Sequence, residues 1–300
     1  MSTGSPIGSR ADGLDPAWGR ALDVALIQEE ARVPADDRWL FYQTALTGPA
    51  RREWVAQWPA GPLGAWVDWG AAYGALSVEV AQQRGGAVYA VDWSRARLAA
   101  AARWAERVPH RGIVLWTAAD VMTYRPPEPV GGMSARFLLQ HLPDPAGALA
   151  HWANVLDEGG CLMVEDVDDG WTVEHPEPPA AWNTLVLALQ QLQKSRGGDR
   201  QIGRRLPQLL NEAGFVLEAT EVAVQGAWVS SEAFTLSRQL ERFRLEGERE
   251  ALLEGGHLTA AQWEDGVAAR AAASGPVFMT AGTLRIRAQK PAPTSARRAD

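Results

Sequence analysis

Hydrophobic positions along the chain fall into two recurring patterns. Short, nearly continuous apolar runs occur at 65–69 (Ala65-Trp66-Val67-Asp68-Trp69), 87–91, 112–116, 133–139, 161–164, 215–224 and 280–287. Runs of that length, bounded by glycine and proline, read as buried strands. Between them, apolar residues recur at helical spacing over 73–84, 94–108, 145–156, 180–194 and 204–213. Ser94 is placed to N-cap the second of these helices, and Gly85-Gly86 to end the first. Residues 16–58 carry the helical period through Leu22, Leu26, Trp39, Leu40, Leu46, Trp54 and Trp58, with breaks at Pro34 and Gly48-Pro49. Two or three helices therefore precede the first strand, and two more helical patterns fill 231–273. Strands alternating with helices imply a parallel sheet covered on both faces, an α/β fold.

The turn after the first strand changes the picture from architecture to chemistry. Gly70 and Gly74 bracket Ala71-Ala72-Tyr73, and Asp92 ends the second strand 18 positions beyond Gly74. In a doubly wound domain such a turn lets the backbone approach a ligand, and an acid after the second strand can bond both hydroxyls of a ribose. An adenosine-type cofactor is the expected ligand. A nicotinamide dinucleotide is the competing reading, because Gly70, Ala72 and Ala75 loosely fit G-x-G-x-x-G/A, but the second glycine is missing. Plainer roles stay open: Asp92 as a helix cap, Trp93 as a core residue, Asp120 as a turn residue.

The motif order resembles the class I S-adenosylmethionine-dependent methyltransferases, particularly the bacterial small-molecule group. The blocks that carry the resemblance are VDWGAAYG (67–74), VYAVDWS (88–94), ARFLLQHLPDP (135–145) and GGCLMVEDVD (159–168), with GGDRQIGRRLPQLLNEAGF (197–215) further on. It spans roughly 60–289. The resemblance implies a doubly wound, seven-stranded, mostly parallel sheet whose last, antiparallel strand inserts between the fifth and sixth. N-terminal helices (14–62) and a helical insertion (231–273) are expected to cap the pocket of an α/β domain at 63–289, between disordered tails at 1–13 and 290–300.

Site roles follow from the same resemblance. Gly70, Ala72 and Gly74 should form the turn beneath the methionine part of S-adenosylmethionine, Asp68 should orient its amino group, and Asp92 should bind the ribose. Trp93 should pack on adenine, with Asp120 and Val121 at its edge, and Arg136 is a candidate for a carboxylate on cofactor or substrate. His141, after the fourth strand, is the candidate general base, since imidazole titrates near neutrality; a structural histidine in the turn at Pro143-Asp144 is the alternative. Asp166 and Trp171 are candidate substrate contacts. The sequence departs from the family pattern at Ala72, where a middle glycine is usual, at Trp69, and at Val130-Gly131, where Phe-Asp is usual.

Composition narrows the partners. A net charge of -7 and a pI near 5.4 argue against nucleic acid, because phosphate neutralisation needs a basic face. Cys161 is the sole cysteine, so no internal disulfide or cysteine-based zinc cluster can form. Glu165, Asp166, Asp168 and Asp169 cluster, but no second ligand set accompanies them, and no metal is expected. Without a signal-like segment or a long apolar run, a soluble cytoplasmic protein is expected. Its partners should be a small, apolar or aromatic, natural-product-like molecule of secondary metabolism and, at most, a second copy in a homodimer. The alternative is a methyltransferase fold turned to another task, such as a cyclase or an inactive partner subunit.

Overall fold

The computed structural model describes residues 14–58, 64–229, 240–273 and 277–292. The expected tail at 1–13, residues 293–300 of the expected tail at 290–300, the helix-stopping Pro59, Gly61 and Pro62, and the first part of the insertion lie outside those residues. Three helices come first: α1 (Pro16–Ile27), α2 (Arg38–Leu46) and α3 (Gly48–Val55). The alternating region then runs β1 (Trp66–Trp69), α4 (Ala75–Arg84), β2 (Ala87–Asp92), α5 (Arg95–Ala105), β3 (Ile113–Ala118), β4 (Val130–Arg136), α6 (Pro145–Val155) and β5 (Leu156–Val167). After β5 come β6 (Val173–His175), α7 (Ala180–Ser195), α8 (Ile202–Glu212) and β7 (Val216–Val229). Helical residues 240–247 (α9), α10 (Arg249–Glu254), α11 (Ala260–Ala272) and β8 (Val277–Gln289) complete the chain.

The sheet order is β3-β2-β1-β4-β5-β8, with β1 to β5 parallel and β8 antiparallel between β5 and β7. This matches the expected topology, with eight strands in place of seven. The extra strand, β6, pairs with Phe278 to Thr280 of β8 beyond the end of β5. Its three residues are too few for any alternation to show in sequence.

All four β1 residues are buried, as a central parallel strand requires. One sheet face packs on α6 and α8, where the Trp69 ring stacks on Trp152 at 5.2 Å. On the other side Trp58 stacks on Trp66 at 5.3 Å. Gly132 makes room for Trp66: a Cβ there would lie 2.1 Å from the indole. That contact explains one error of register. The sequence pattern puts the fourth strand at 133–139, whereas β4 spans 130–136, and Phe137 turns the chain away with a φ of 55°. At the C-terminal end Lys290 is held in place, expected tail or not, by backbone bonds with Gly159 and Gly160.

The N-terminal helices dock through charges. Arg51 donates to both oxygens of Glu79 on α4 (2.6 and 2.9 Å), with both side chains buried. Arg52 pairs with Asp23, and Glu29, in the turn just after α1, meets Arg103 and Arg107 of the α5 region. Breaking a buried pair from one side leaves an uncompensated charge, so these contacts fix where the helical cap sits over the sheet.

Asp68 ties β1 to its neighbours. Its carboxylate accepts from the Ser77 hydroxyl on α4 (2.6 Å) and the Ser134 hydroxyl on β4 (2.8 Å), and Ser134 in turn accepts from the Trp66 indole. Complete burial outweighs those hydroxyls and pushes the Asp68 carboxyl up to about 6. A carboxyl whose folded pKa lies above its unfolded value adds stability that is fully present below about pH 4 and is lost as pH rises through about 6. Asp68→Asn should therefore show a flatter profile across that window, by about 2–3 kcal/mol. Urea midpoints of both proteins from pH 4 to 7.5 measure this, and parallel profiles would contradict it.

Candidate active site

The ends of β1, β2, β3 and β4 open onto one cavity of about 540 Å³. That size is ordinary for a small-molecule site. At one end it is lined by Gly70, Ala72, Asp92, Trp93, Asp120, Val121 and Leu138. Of the residues singled out in the sequence, these six besides Leu138, with His141, are brought together.

Asp92 organises this end. One carboxylate oxygen accepts the Ala72 N–H (2.9 Å) and the other the Ser94 N–H (2.8 Å). A carboxylate has about four lone-pair sites, so both oxygens keep capacity for further donors. Ser94, not Asp92, caps α5, its hydroxyl accepting from the Arg97 N–H. Gly70 (φ 72°) and Ala72 (φ 48°) both lie in the left-handed region. That conformation costs an alanine roughly 1 kcal/mol, and the Asp92 bond offsets it by holding the Ala72 amide. Trp93 is 76% exposed, with Arg97 5.5 Å from its ring centroid, so it is a cavity wall and not a core residue.

Two buried indoles brace the ligand-facing loops. Trp104 donates to the Tyr73 carbonyl (2.9 Å) and Trp152 to the Val121 carbonyl (2.9 Å). Tyr73 and Arg97 both bond Asp37, which joins the segment before α2 to this rim. Tyr73 thus belongs to the turn, and α4 starts two residues later than the sequence pattern predicts.

Other candidates sit elsewhere. Gly74 faces away: a Cβ on it would strike Trp116 and Ala101. Asp68 borders a side cavity of about 50 Å³ with Gly70 and Ala72. Arg136 borders the same space, but its guanidinium is bonded to Glu165 (2.5 Å) and Thr47 (3.2 Å), an ion pair in place of the expected ligand contact. Asp166 does not line the main cavity. It is buried, accepts from the Gln140 N–H (3.2 Å) and the Val167 N–H (2.8 Å), and burial pushes its carboxyl up to about 7. Trp171 packs over Gly282 in the turn before β6, also off the cavity. Three of the four clustered acids are taken by arginines: Glu165 by Arg136 and Arg285, Asp168 by Arg204, Asp169 by Arg200.

The other end of the cavity is built by α2, α7, α9 and the turn Leu139–His141. Trp39, Leu40, Leu189 and Leu192 supply apolar wall, and His141, Gln193, Arg200 and Arg244 supply polar groups. Burial, helped by Arg200, Arg244 and Arg97, pushes the His141 imidazole down to about 4, so it is neutral at physiological pH. Gln140 anchors this turn, its carbonyl accepting from the Asp199 N–H and the Gln193 amide, and its side chain from Arg200. Sequence reading missed Gln140, Arg200 and Arg244, whose roles arise only from where the tertiary fold places them.

Residues 56–220 match the family model described as a methyltransferase domain. That is more than half of the chain, which therefore belongs to this family: it is a class I, S-adenosylmethionine-dependent methyltransferase. No curated protein matches it. Among solved structures, the YcgJ protein of Bacillus subtilis is similar at 12% identity with a TM-score of 0.55, covering 82% of this chain and 99% of that one. A protein of Bacillus halodurans C-125 gives 19% identity and a TM-score of 0.50 over 76% and 92% of the two chains. The [4+2]-cyclase SpnF gives 22% and 0.50 over 81% and 82%. At such identities the likeness is one of fold.

The residues at the Asp92 end fit the cofactor: a carboxylate with free acceptor sites, an exposed indole, and a backbone turn without side-chain bulk. Asp92→Ala should weaken S-adenosylhomocysteine binding by about tenfold or more, the loss of a charged partner to hydroxyls. Ala72→Gly should change it less than about threefold, because Asp92 and not backbone freedom sets the Ala72 amide. Calorimetry compares the two variants; an unchanged affinity in Asp92→Ala would remove that residue from the site.

Proposed function

We propose that the chain methylates a small, apolar or aromatic, natural-product-like molecule. The observation that carries this reading is the continuous cavity whose ribose-type end at Asp92 runs into an apolar end holding His141. The cofactor supplies an activated methyl group on a sulfonium, an excellent leaving group, so positioning and exclusion of water provide much of what the protein must add. In this reading Asp92 accepts from the ribose hydroxyls, Trp93 packs on adenine, and Asp120 with the Val121 N–H meets the adenine edge. Gly70 and Ala72 underlie the methionine part, and Asp68 faces its amino group from the side cavity.

At the other end Trp39, Leu40, Leu189 and Leu192 enclose the acceptor and keep water out. His141, neutral, accepts a hydrogen bond from the attacking group and orients it. With its pKa near 4 it is a weak base, which supports orientation more than full proton removal.

Incubation with S-adenosylmethionine labelled in its methyl group, against a panel of aromatic hydroxy and amino compounds, should transfer the label to product. On an accepted compound, His141→Ala should lower turnover about 10- to 100-fold and leave S-adenosylhomocysteine affinity within about twofold. The acid limb that His141 imposes on turnover should lie near pH 4, not near 6.5, because the imidazole is already unprotonated above that value. Turnover without label in the product would replace methyl transfer with the repurposed-fold reading.

A further inference from the structure

We propose that the end of the cavity remote from Asp92 recognises an anion: the acceptor molecule carries a carboxylate or phosphate, held by Arg244. This rests on the methyl-transfer reading and names the class of its substrate.

The cavity arginines are not equivalent. Arg97 is bonded to both oxygens of Asp37 (2.8 and 2.6 Å). Arg196 is bonded to Glu248 (2.9 Å), and Arg200 to Asp169 (2.9 and 2.7 Å) and Gln140. Arg244 has no hydrogen bond or ion pair among the described residues; its one neighbour of that kind is the Trp39 ring, 5.7 Å from the guanidinium carbon. Three carboxylates act on it through space: Asp169, Glu241 and Glu248. Each already engages another arginine, respectively Arg200 (2.7 Å), Arg270 (2.8 Å) and Arg196 (2.9 Å). Asp36 also lines the cavity and forms no ion pair with Arg244 among the described residues.

Burial and the nearby Arg200 push the Arg244 guanidinium down to about 9, still protonated at neutral pH. His141, facing the same cations, carries no charge there and offers no counter-ion. Arg244 is half-buried in the cavity wall, and a cation held there without a counter-ion is poorly compensated. Its planar fork of donors suits a carboxylate or a phosphate, which it can engage through two parallel bonds. The surrounding Trp39, Leu40, Leu189 and Leu192 fit the apolar body of such a molecule. Gln193 adds a side-chain amide.

The test uses the full chain loaded with S-adenosylhomocysteine, so that the Asp92 end is filled, and three calorimetric probes: 2-naphthylacetate, 2-naphthyl phosphate and the uncharged 2-naphthylacetamide. At least one anion should bind the unaltered protein about tenfold or more tightly than the amide, as expected for a hydrogen-bonded charge. Arg244→Gln should bring that anion to the level of the amide, leaving the amide and S-adenosylhomocysteine within about twofold, and Arg244→Lys should fall between. The acetate and the phosphate tell which oxyanion is preferred. A thermal melt checks the fold: removing a half-buried cation that has no counter-ion should leave the melting temperature equal or higher, whereas a structural arginine would lower it. Equal binding of anions and amide by the unaltered protein, or discrimination surviving in Arg244→Gln, overturns the proposal. If S-adenosylhomocysteine does not bind, the cofactor reading fails separately, and the same probe comparison on the unloaded protein still decides the role of Arg244.

Discussion

The pair of bonds from the Asp92 carboxylate to the Ala72 and Ser94 amides is the constraint on which the site depends. It joins the turn after β1 to the end of β2 and the start of α5, adding side-chain bonds to the backbone bonds that Gly70 and Ala71 donate to the Val91 carbonyl. The same acid holds a left-handed alanine where a glycine is the usual choice, so one side chain replaces conformational freedom with an explicit tether. Trp104 and Trp152 extend the scheme outward, each fixing a loop carbonyl from the core. The sequence holds 14 tryptophans, and several of their indoles act as long, rigid donors that set loop positions as well as filling volume.

Charge divides the cavity into two halves. Around Asp92 the carboxylate is satisfied by backbone amides and still has acceptor capacity; around His141 burial, reinforced by nearby arginines, keeps the imidazole neutral. Arg136, Arg196, Arg200 and Arg204 are each consumed by a carboxylate. Against that background the lack of an ion-pair partner for Arg244 among the described residues is a departure with chemical meaning, since a half-buried charge in a cavity wall is best compensated where a ligand completes it.

Much of the fold was legible in sequence because β1, β2 and β5 are buried on both faces and glycine punctuates them. The position of β4 was not, for a tertiary reason: Gly131 and Gly132 have little strand character, yet the strand begins there to let Trp66 pack, while the apolar run Phe137-Leu138-Leu139 forms a turn. At the site, Asp92, Trp93 and His141 stood out by position relative to strand ends. Asp166 and Trp171 stood out equally, but the pleat directs Asp166 inward to hold Gln140, and the chain carries Trp171 over Gly282. Arg244 could not be distinguished among the many arginines, because being unpaired is a property of neighbours distant in sequence.

The most direct measurement of the central claim is a crystal structure of the chain with S-adenosylhomocysteine. The account predicts adenosine between Trp93 and Val121, both ribose hydroxyls within hydrogen-bond distance of Asp92 with its bond to the Ala72 amide intact, and the sulfur directed toward the space bounded by His141 and Leu192. A ligand seated elsewhere, or an Asp92 carboxylate that keeps only its backbone partners, would contradict it.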